Sequence, residues 1–132
     1  MTYLVDTNVL SELGRKLPDS RVVAWASGVR RAALSVVTIE EIHFGLAWRP
    51  NPSVLARLQE LIDAHFDVLP ISAAIALRAG ALRGQLRAVG QSRTQADMFV
   101  AATAAVHGLV LVTRNVQDFE GCGVSVLNPF SA

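Results

Sequence analysis

Apolar positions along the chain alternate between two patterns. Short unbroken runs occupy residues 3–5, 32–37, 68–71, 109–112 and 124–127. Runs of this length, with little apolar/polar alternation, predict strands buried on both faces of a parallel sheet. Between the runs, apolar residues recur every three or four positions: Val22, Trp25, Ala26 and Val29; Ile39, Ile42 and Leu46; Val54, Leu55, Leu58, Leu61, Ile62 and Phe66; Ile75, Ala79, Leu82, Leu86 and Val89. These are the core-facing stripes of amphipathic helices. Residues 98–106 are apolar almost all round, as in a helix buried within the protein.

Punctuation supports the same elements. A helix is expected directly after the first strand, from Thr7, and another from Pro18-Asp19. Thr38 is placed as the cap of the helix carrying Ile39, Ile42 and Leu46, and Pro50-Asn51-Pro52 ends that helix. Ser72 reads as an N-cap and Gly90 as a stop. Residues 91–95 form a polar loop, and His107-Gly108 supplies a left-handed C-terminal stop. Strands alternating with helices predict an α/β fold whose parallel sheet is covered on both faces.

A length of 132 residues suits one domain, 1–132, with a proper core, and 52% hydrophobic residues argue against disorder. No apolar run reaches the ~18 residues of a membrane span. Asp6 interrupts the first apolar stretch and no basic segment precedes it, so a signal peptide is not expected and a cytoplasmic setting is. The single cysteine, Cys122, excludes an internal disulfide and a multi-cysteine zinc site.

Net charge is +1, carried by eleven arginines and one lysine, Lys16, against eleven acids. No acid falls between Asp67 and Asp97, a stretch holding Arg78, Arg83, Arg87 and Arg93. Arginine forks suit phosphate oxygens, so these residues, with Arg114, are candidate contacts to a nucleic-acid backbone. A solvated arginine-rich helix face is the plainer alternative.

Four acids fall where a backbone is expected to turn into a helix. Asp6 follows the first strand, Glu41 stands three residues after Thr38, Asp97 three after Thr94, and Asp118 three after Asn115. For the last three, helix capping is a sufficient local account, worth roughly 1 kcal/mol each. Asp6 has no such capping partner. Carboxylates gathered at the carboxyl edge of a parallel sheet would repel one another unless protons or a cation offset them. Mg²⁺ accepts oxygen ligands and leaves room for substrate phosphates. Asn8, Thr113 and Asn115 could steady such carboxylates from behind. A metal-dependent enzyme acting on phosphodiesters is therefore expected.

Two other phosphate-handling folds fail. Asp6-Thr7-Asn8 is faintly similar to the nucleophile loop of haloacid-dehalogenase-like phosphatases, and a receiver domain also uses an acid at a strand end. Both need a lysine in the second half of the chain, where there is none. His43, His65 and His107 are isolated and read as surface or cap residues.

Four segments in this order resemble a PIN-domain ribonuclease of the VapC toxin type. They are Leu4-Val5-Asp6-Thr7-Asn8-Val9-Leu10-Ser11-Glu12-Leu13, Thr38-Ile39-Glu40-Glu41-Ile42-His43-Phe44-Gly45, Asp97-Met98-Phe99-Val100-Ala101-Ala102-Thr103-Ala104 and Leu111-Val112-Thr113-Arg114-Asn115-Val116-Gln117-Asp118-Phe119. The resemblance implies a three-layer α/β/α domain with a central parallel sheet. It implies Asp6, Glu41, Asp97 and Asp118 as the catalytic, metal-binding acids for Mg²⁺ or Mn²⁺, with Glu41 rather than Glu40 in register. It further implies RNA (a tRNA among the candidates) as substrate, a cognate antitoxin and a homodimer. Phe44 and Trp48 are candidates for either protein surface, with core burial as the alternative. A PIN-fold binding module with little cleavage, and a DNA nuclease, are the rival readings.

Overall fold

Five short strands of the computed structural model, which describes residues 1–131, pair side by side in the order β3-β2-β1-β4-β5, every pairing parallel. They are β1 (Tyr3–Val5), β2 (Ala32–Ser35), β3 (Phe66–Leu69), β4 (Val110–Val112) and β5 (Val126–Leu127). Helices α1 (Thr7–Leu13) and α2 (Ser20–Ser27) connect β1 to β2. Helices α3 (Val36–Trp48) and α4 (Pro52–His65) connect β2 to β3, and α5 (Ala73–Ala88) and α6 (Gln95–His107) connect β3 to β4. A 3₁₀ turn, Val116–Phe119, lies between β4 and β5. The α/β class and the all-parallel sheet agree with the expectation.

The period-two alternation of side chains across a strand builds three layers. Leu4, Ala33 and Leu111 face one side, where they meet Ile75, Ala79 and Leu86 of α5 and Met98 and Ala101 of α6. Val5, Ala32, Leu34 and Val112 face the other and meet Val9 and Leu10 of α1, Val22 of α2, Ile42 of α3 and Leu58 of α4. Each fully buried aliphatic side chain contributes about 1.5–3 kcal/mol. Burial on both faces explains why the strands read as unbroken apolar runs.

Strand order decides where a ligand can sit. The chain runs outward from β1 through β2 to β3, then returns to the other side of β1 for β4. Such a reversal opens a crevice beyond the carboxyl ends of the two strands that flank it. Here these are β1 and β4, which end at Val5 and Val112 in direct register.

Several predicted boundaries shift. The second strand ends at Ser35, not Val37, because the Ser35 hydroxyl accepts from Val37 N (3.1 Å) and starts α3. Thr38 is therefore not a cap. It is buried within the first turn of α3, and the expected Thr38–Glu41 capping box does not form. Phe66, assigned to a helical stripe, opens β3 instead. It takes an extended conformation directly after α4 and pairs with Ala32. Pro70, without an N–H, follows the strand's last residue. The final strand is shorter than expected, since Gly121 and Gly123 turn the chain through positive φ before Val126 can pair. The Ser72 cap and the left-handed Gly108 stop (φ 65°) form as the sequence indicates, and Asn51, read only as part of a helix break, also caps α4.

Candidate active site

The crevice between β1 and β4 is built around Asp6. Its backbone N–H donates to Val112 O (2.9 Å), fixing the residue to the end of β4. As N-cap of α1 it accepts from Thr7 N at Oδ1 (2.9 Å). Its other oxygen, Oδ2, accepts from Asn8 Nδ2 (3.1 Å) and Thr113 Oγ1 (2.8 Å). Thr113 is fully buried, and its oxygen also receives Asn8 Nδ2 (3.2 Å) and Asn115 N (3.0 Å). Asn8 Oδ1 in turn accepts from Arg114 N (3.0 Å). The network holds one carboxylate at the carboxyl edge of two strands, with Asn8 and Thr113 both donating to it. Asn115 contributes its backbone N–H. Its side chain makes no cap bond, so the expected Asn115–Asp118 box is replaced by a backbone bond from Asp118 N to Asn115 O (3.1 Å).

Glu41 reaches the same crevice by another route. It stands in the second turn of α3, exposed, and its Oε1 accepts from Thr7 Oγ1 (2.6 Å). Thr38 Oγ1 lies 3.0 Å from that hydroxyl, making a Thr38–Thr7–Glu41 chain. Thr7 is the residue that sequence reasoning missed. Its contact spans 34 positions, and no local spacing announces it. Asp97 lies in the first turn of α6, where its N–H donates to Thr94 Oγ1 (3.1 Å) as the Thr94-x-x-Asp97 spacing predicts.

Electrostatics bring the four acids together. Burial pushes the Asp6 carboxyl above its ordinary pKa. Hydrogen bonds from Thr113, Thr7 N and Asn8 oppose the rise, while the Glu41 charge adds to it. Burial also raises Asp97; a side-chain hydrogen bond with Thr94 opposes this, and the charges of Asp6, Asp118 and Glu41 all push it further up. The ion pairs among the described residues join Arg15 to Glu12, Arg21 to Asp19 and Arg31 to Asp67, so none offsets the four acids. Among the described residues, no three acidic, histidine or cysteine side chains close into a ready-made metal shell. The donor set is nevertheless all oxygen, anionic and without a cationic partner, which fits a hard divalent cation.

The arginines separate into two kinds. Arg78, Arg83 and Arg87 are exposed on α5. Arg83 lines a groove of about 240 Å³ with Gln95, Met98 and Phe99 of α6. Arg114 stacks its guanidinium 4.7 Å from the Phe130 ring centre. Arg93 turns inward and bonds to Ser92 O, Gln91 Oε1 and Glu120 O. Phe44 and Trp48 are not core residues: they are 66% and 69% exposed on α3, with ring centres 6.5 Å apart. His43 is exposed, and His65 and His107 end α4 and α6. No helix among the described residues is long and apolar enough to cross a membrane.

Known proteins share this fold. The PIN domain family model matches residues 3–120. The chain is 33% identical to VapC ribonuclease Y4jK of Sinorhizobium fredii, over 96% of each chain. It is 27% identical to the tRNA(fMet)-specific endonuclease VapC of Shigella flexneri, over 93% of each. Among solved structures it is similar to FitAcB from Neisseria gonorrhoeae, with a TM-score of 0.85, 32% identity, and 99% and 100% of the two chains covered. A toxin-antitoxin complex from Klebsiella pneumoniae aligns with a TM-score of 0.76 and 28% identity, covering 99% of this chain and 100% of that one.

Proposed function

The chain belongs to the PIN-domain family, with VapC-type ribonucleases among its relatives, and from that premise we propose that it is a metal-dependent endoribonuclease toxin hydrolysing RNA phosphodiesters. The observation that carries the reading is the convergence of negative charge from Asp6, Glu41 and Asp118 on half-buried Asp97, with no ion-pair partner for any of the four among the described residues. Asp6 and Asp97 would hold Mg²⁺ or Mn²⁺, with Glu41 and Asp118 binding the ion or its waters. When bound, such an ion supplies polarisation of the phosphodiester and acidification of the attacking water.

The protein's own groups do the rest. Asn8, Thr113 and the Thr7 amide hold the Asp6 oxygens in one orientation, and Thr7 holds Glu41 beside them. Preorganised groups of this kind need no rearrangement as charge develops in the transition state. Arg78, Arg83, Arg87 and Arg114 are proposed contacts to RNA phosphates, with Arg83 in the groove beside the first turn of α6. The Shigella relative supports tRNA as the substrate class, and the Klebsiella complex supports an antitoxin as partner. A homodimer using the Phe44–Trp48 surface, and a cytoplasmic setting, complete the proposal.

The test is incubation of the purified, antitoxin-free chain with total tRNA, a single-stranded RNA and a single-stranded DNA. Mg²⁺, Mn²⁺ and chelator are compared, alongside Asp97→Asn. Metal-dependent cleavage of RNA that D97N lowers by at least about 100-fold is the expected result. Cleavage of DNA alone would redirect the activity to a DNA nuclease. Bound but uncut RNA would leave a binding module.

A further inference from the structure

We infer that Arg93 is a positioning residue, whose guanidinium ties together the two segments that carry Asp97 and Asp118 and so sets how those carboxylates meet a divalent cation. The inference rests on the metal-dependent reading above. Arg93 Nη1 donates to Ser92 O (3.3 Å), and Nη2 donates to Gln91 Oε1 (3.3 Å) and to Glu120 O (3.2 Å). Its Nε is buried without a partner among the described residues. The fork therefore faces the protein, unlike the forks of Arg78, Arg83 and Arg87, which are exposed on α5.

The two ends of this clamp lie next to two of the acids. Residues 91–93 lead directly into Thr94, whose hydroxyl caps α6 by accepting from Asp97 N. Glu120 closes the 3₁₀ turn that contains Asp118. One side chain thus joins segments 27 residues apart, within four residues of Asp97 and two of Asp118. Like charges separate when nothing restrains them, and Asp118 is among the charges acting on Asp97. Beside Asp6 and Glu41 the restraint comes from Thr7, Asn8 and Thr113. No side chain forms a corresponding bond to the Asp118 carboxylate among the described residues, and the Arg93 bridge spans the gap alongside the apolar contact of Cys122 Sγ with Met98 Sδ (3.9 Å).

The experiment is Mn²⁺ titration of the RNA-free chain, followed by electron paramagnetic resonance of the free ion, for wild type, R93A, R93K and D97N. RNA affinity is measured separately in chelator, and urea unfolding identifies the folded variants. Both Arg93 variants should weaken Mn²⁺ binding by about 10- to 100-fold and leave metal-free RNA affinity within about twofold. R93K keeps the charge and the apolar stem, so it carries the test if R93A fails to fold, but one ammonium cannot span three acceptors. Unchanged Mn²⁺ affinity in the folded variants with weakened RNA binding would overturn the inference and make Arg93 a phosphate contact. Full Mn²⁺ affinity in R93K would overturn it equally, since charge alone would then suffice. Wild type that binds no Mn²⁺ would instead remove the metal reading itself, and this inference with it.

Discussion

The two halves of the acidic crevice are held in different ways. Asp6 and Glu41 sit in a closed set of side-chain hydrogen bonds, from Thr7, Asn8 and Thr113, that crosses the sheet between β1 and β4. Asp97 and Asp118 are placed by their backbones, one in the capped first turn of α6 and one in a 3₁₀ turn. The first half is tied by side-chain hydrogen bonds before anything binds. The second gains its order from the chain's path, from the Arg93 bridge to Glu120 O and, on the function proposed above, from the cation. This division suits a site that keeps one fixed carboxylate as reference and lets the others adjust around it.

Among changes that leave all four acids in place, removing the central donor of the Asp6 half should have the largest effect. Thr113→Val deletes the bond to Asp6 Oδ2, leaves Asn115 N without its acceptor and reduces Asn8 Nδ2 to its one bond with Asp6. Cleavage with Mg²⁺ should fall about 10- to 100-fold, and stability by about 1–3 kcal/mol, because buried polar groups lose their partners. Steady-state kinetics and urea denaturation would measure both. Near-wild-type cleavage by the valine variant would show that preorganisation of Asp6 is unimportant and erase the contrast between the halves.

A middle-sized effect concerns substrate approach over the open half, where Arg83 lines the groove against α6. Reversing Arg83 and Arg87 to Glu should weaken RNA binding. The slope of log affinity against log salt should flatten by about one for each phosphate left without its arginine. An unchanged slope would make that face simply solvated.

The smallest effect is on the metal-free fold. Asp6 and Asp97 have pKa values raised in the folded state. The native protein therefore binds more protons than the unfolded chain just above the ordinary carboxylate value, and stability without metal falls as pH rises through that window. Asp97→Asn should accordingly stabilise the metal-free protein at neutral pH, by less than about 1 kcal/mol given the partial exposure of the site. Mn²⁺ affinity should drop as pH falls through the same window, since protons compete for the carboxylates. A thermal melt of D97N below wild type in chelator would contradict the crowding of charge at Asp97.

How much of this was legible in the sequence depended on whether the relevant contact was local. Asp6 could be found because it directly follows an apolar strand, and Thr94-x-x-Asp97 because capping is a four-residue affair. The same spacing misled at Thr38 and Asn115. Ser35 started α3 one turn early, and backbone bonding alone shaped the 3₁₀ turn. Glu41 was placed by family register, while the hydroxyl that holds it belongs to Thr7, on another helix. The strands were recognisable, yet Phe66 fitted both a helical stripe and a strand, and only pairing with Ala32 decided between them. Arginine content pointed to phosphate contacts. The direction each fork faces was beyond the reach of periodicity.

The bond between Asp6 and Thr113 spans 107 positions, which has a consequence for the life of each new molecule. A ribosome adding about 5–20 residues per second needs roughly 5–20 s to travel from one to the other. β1 lies between two neighbours, and β4 is made late, so the central strand has to wait for its second partner. Parallel pairings over such distances also close slowly. On the function proposed above, a nascent chain therefore lacks its assembled site until Thr113 has been made.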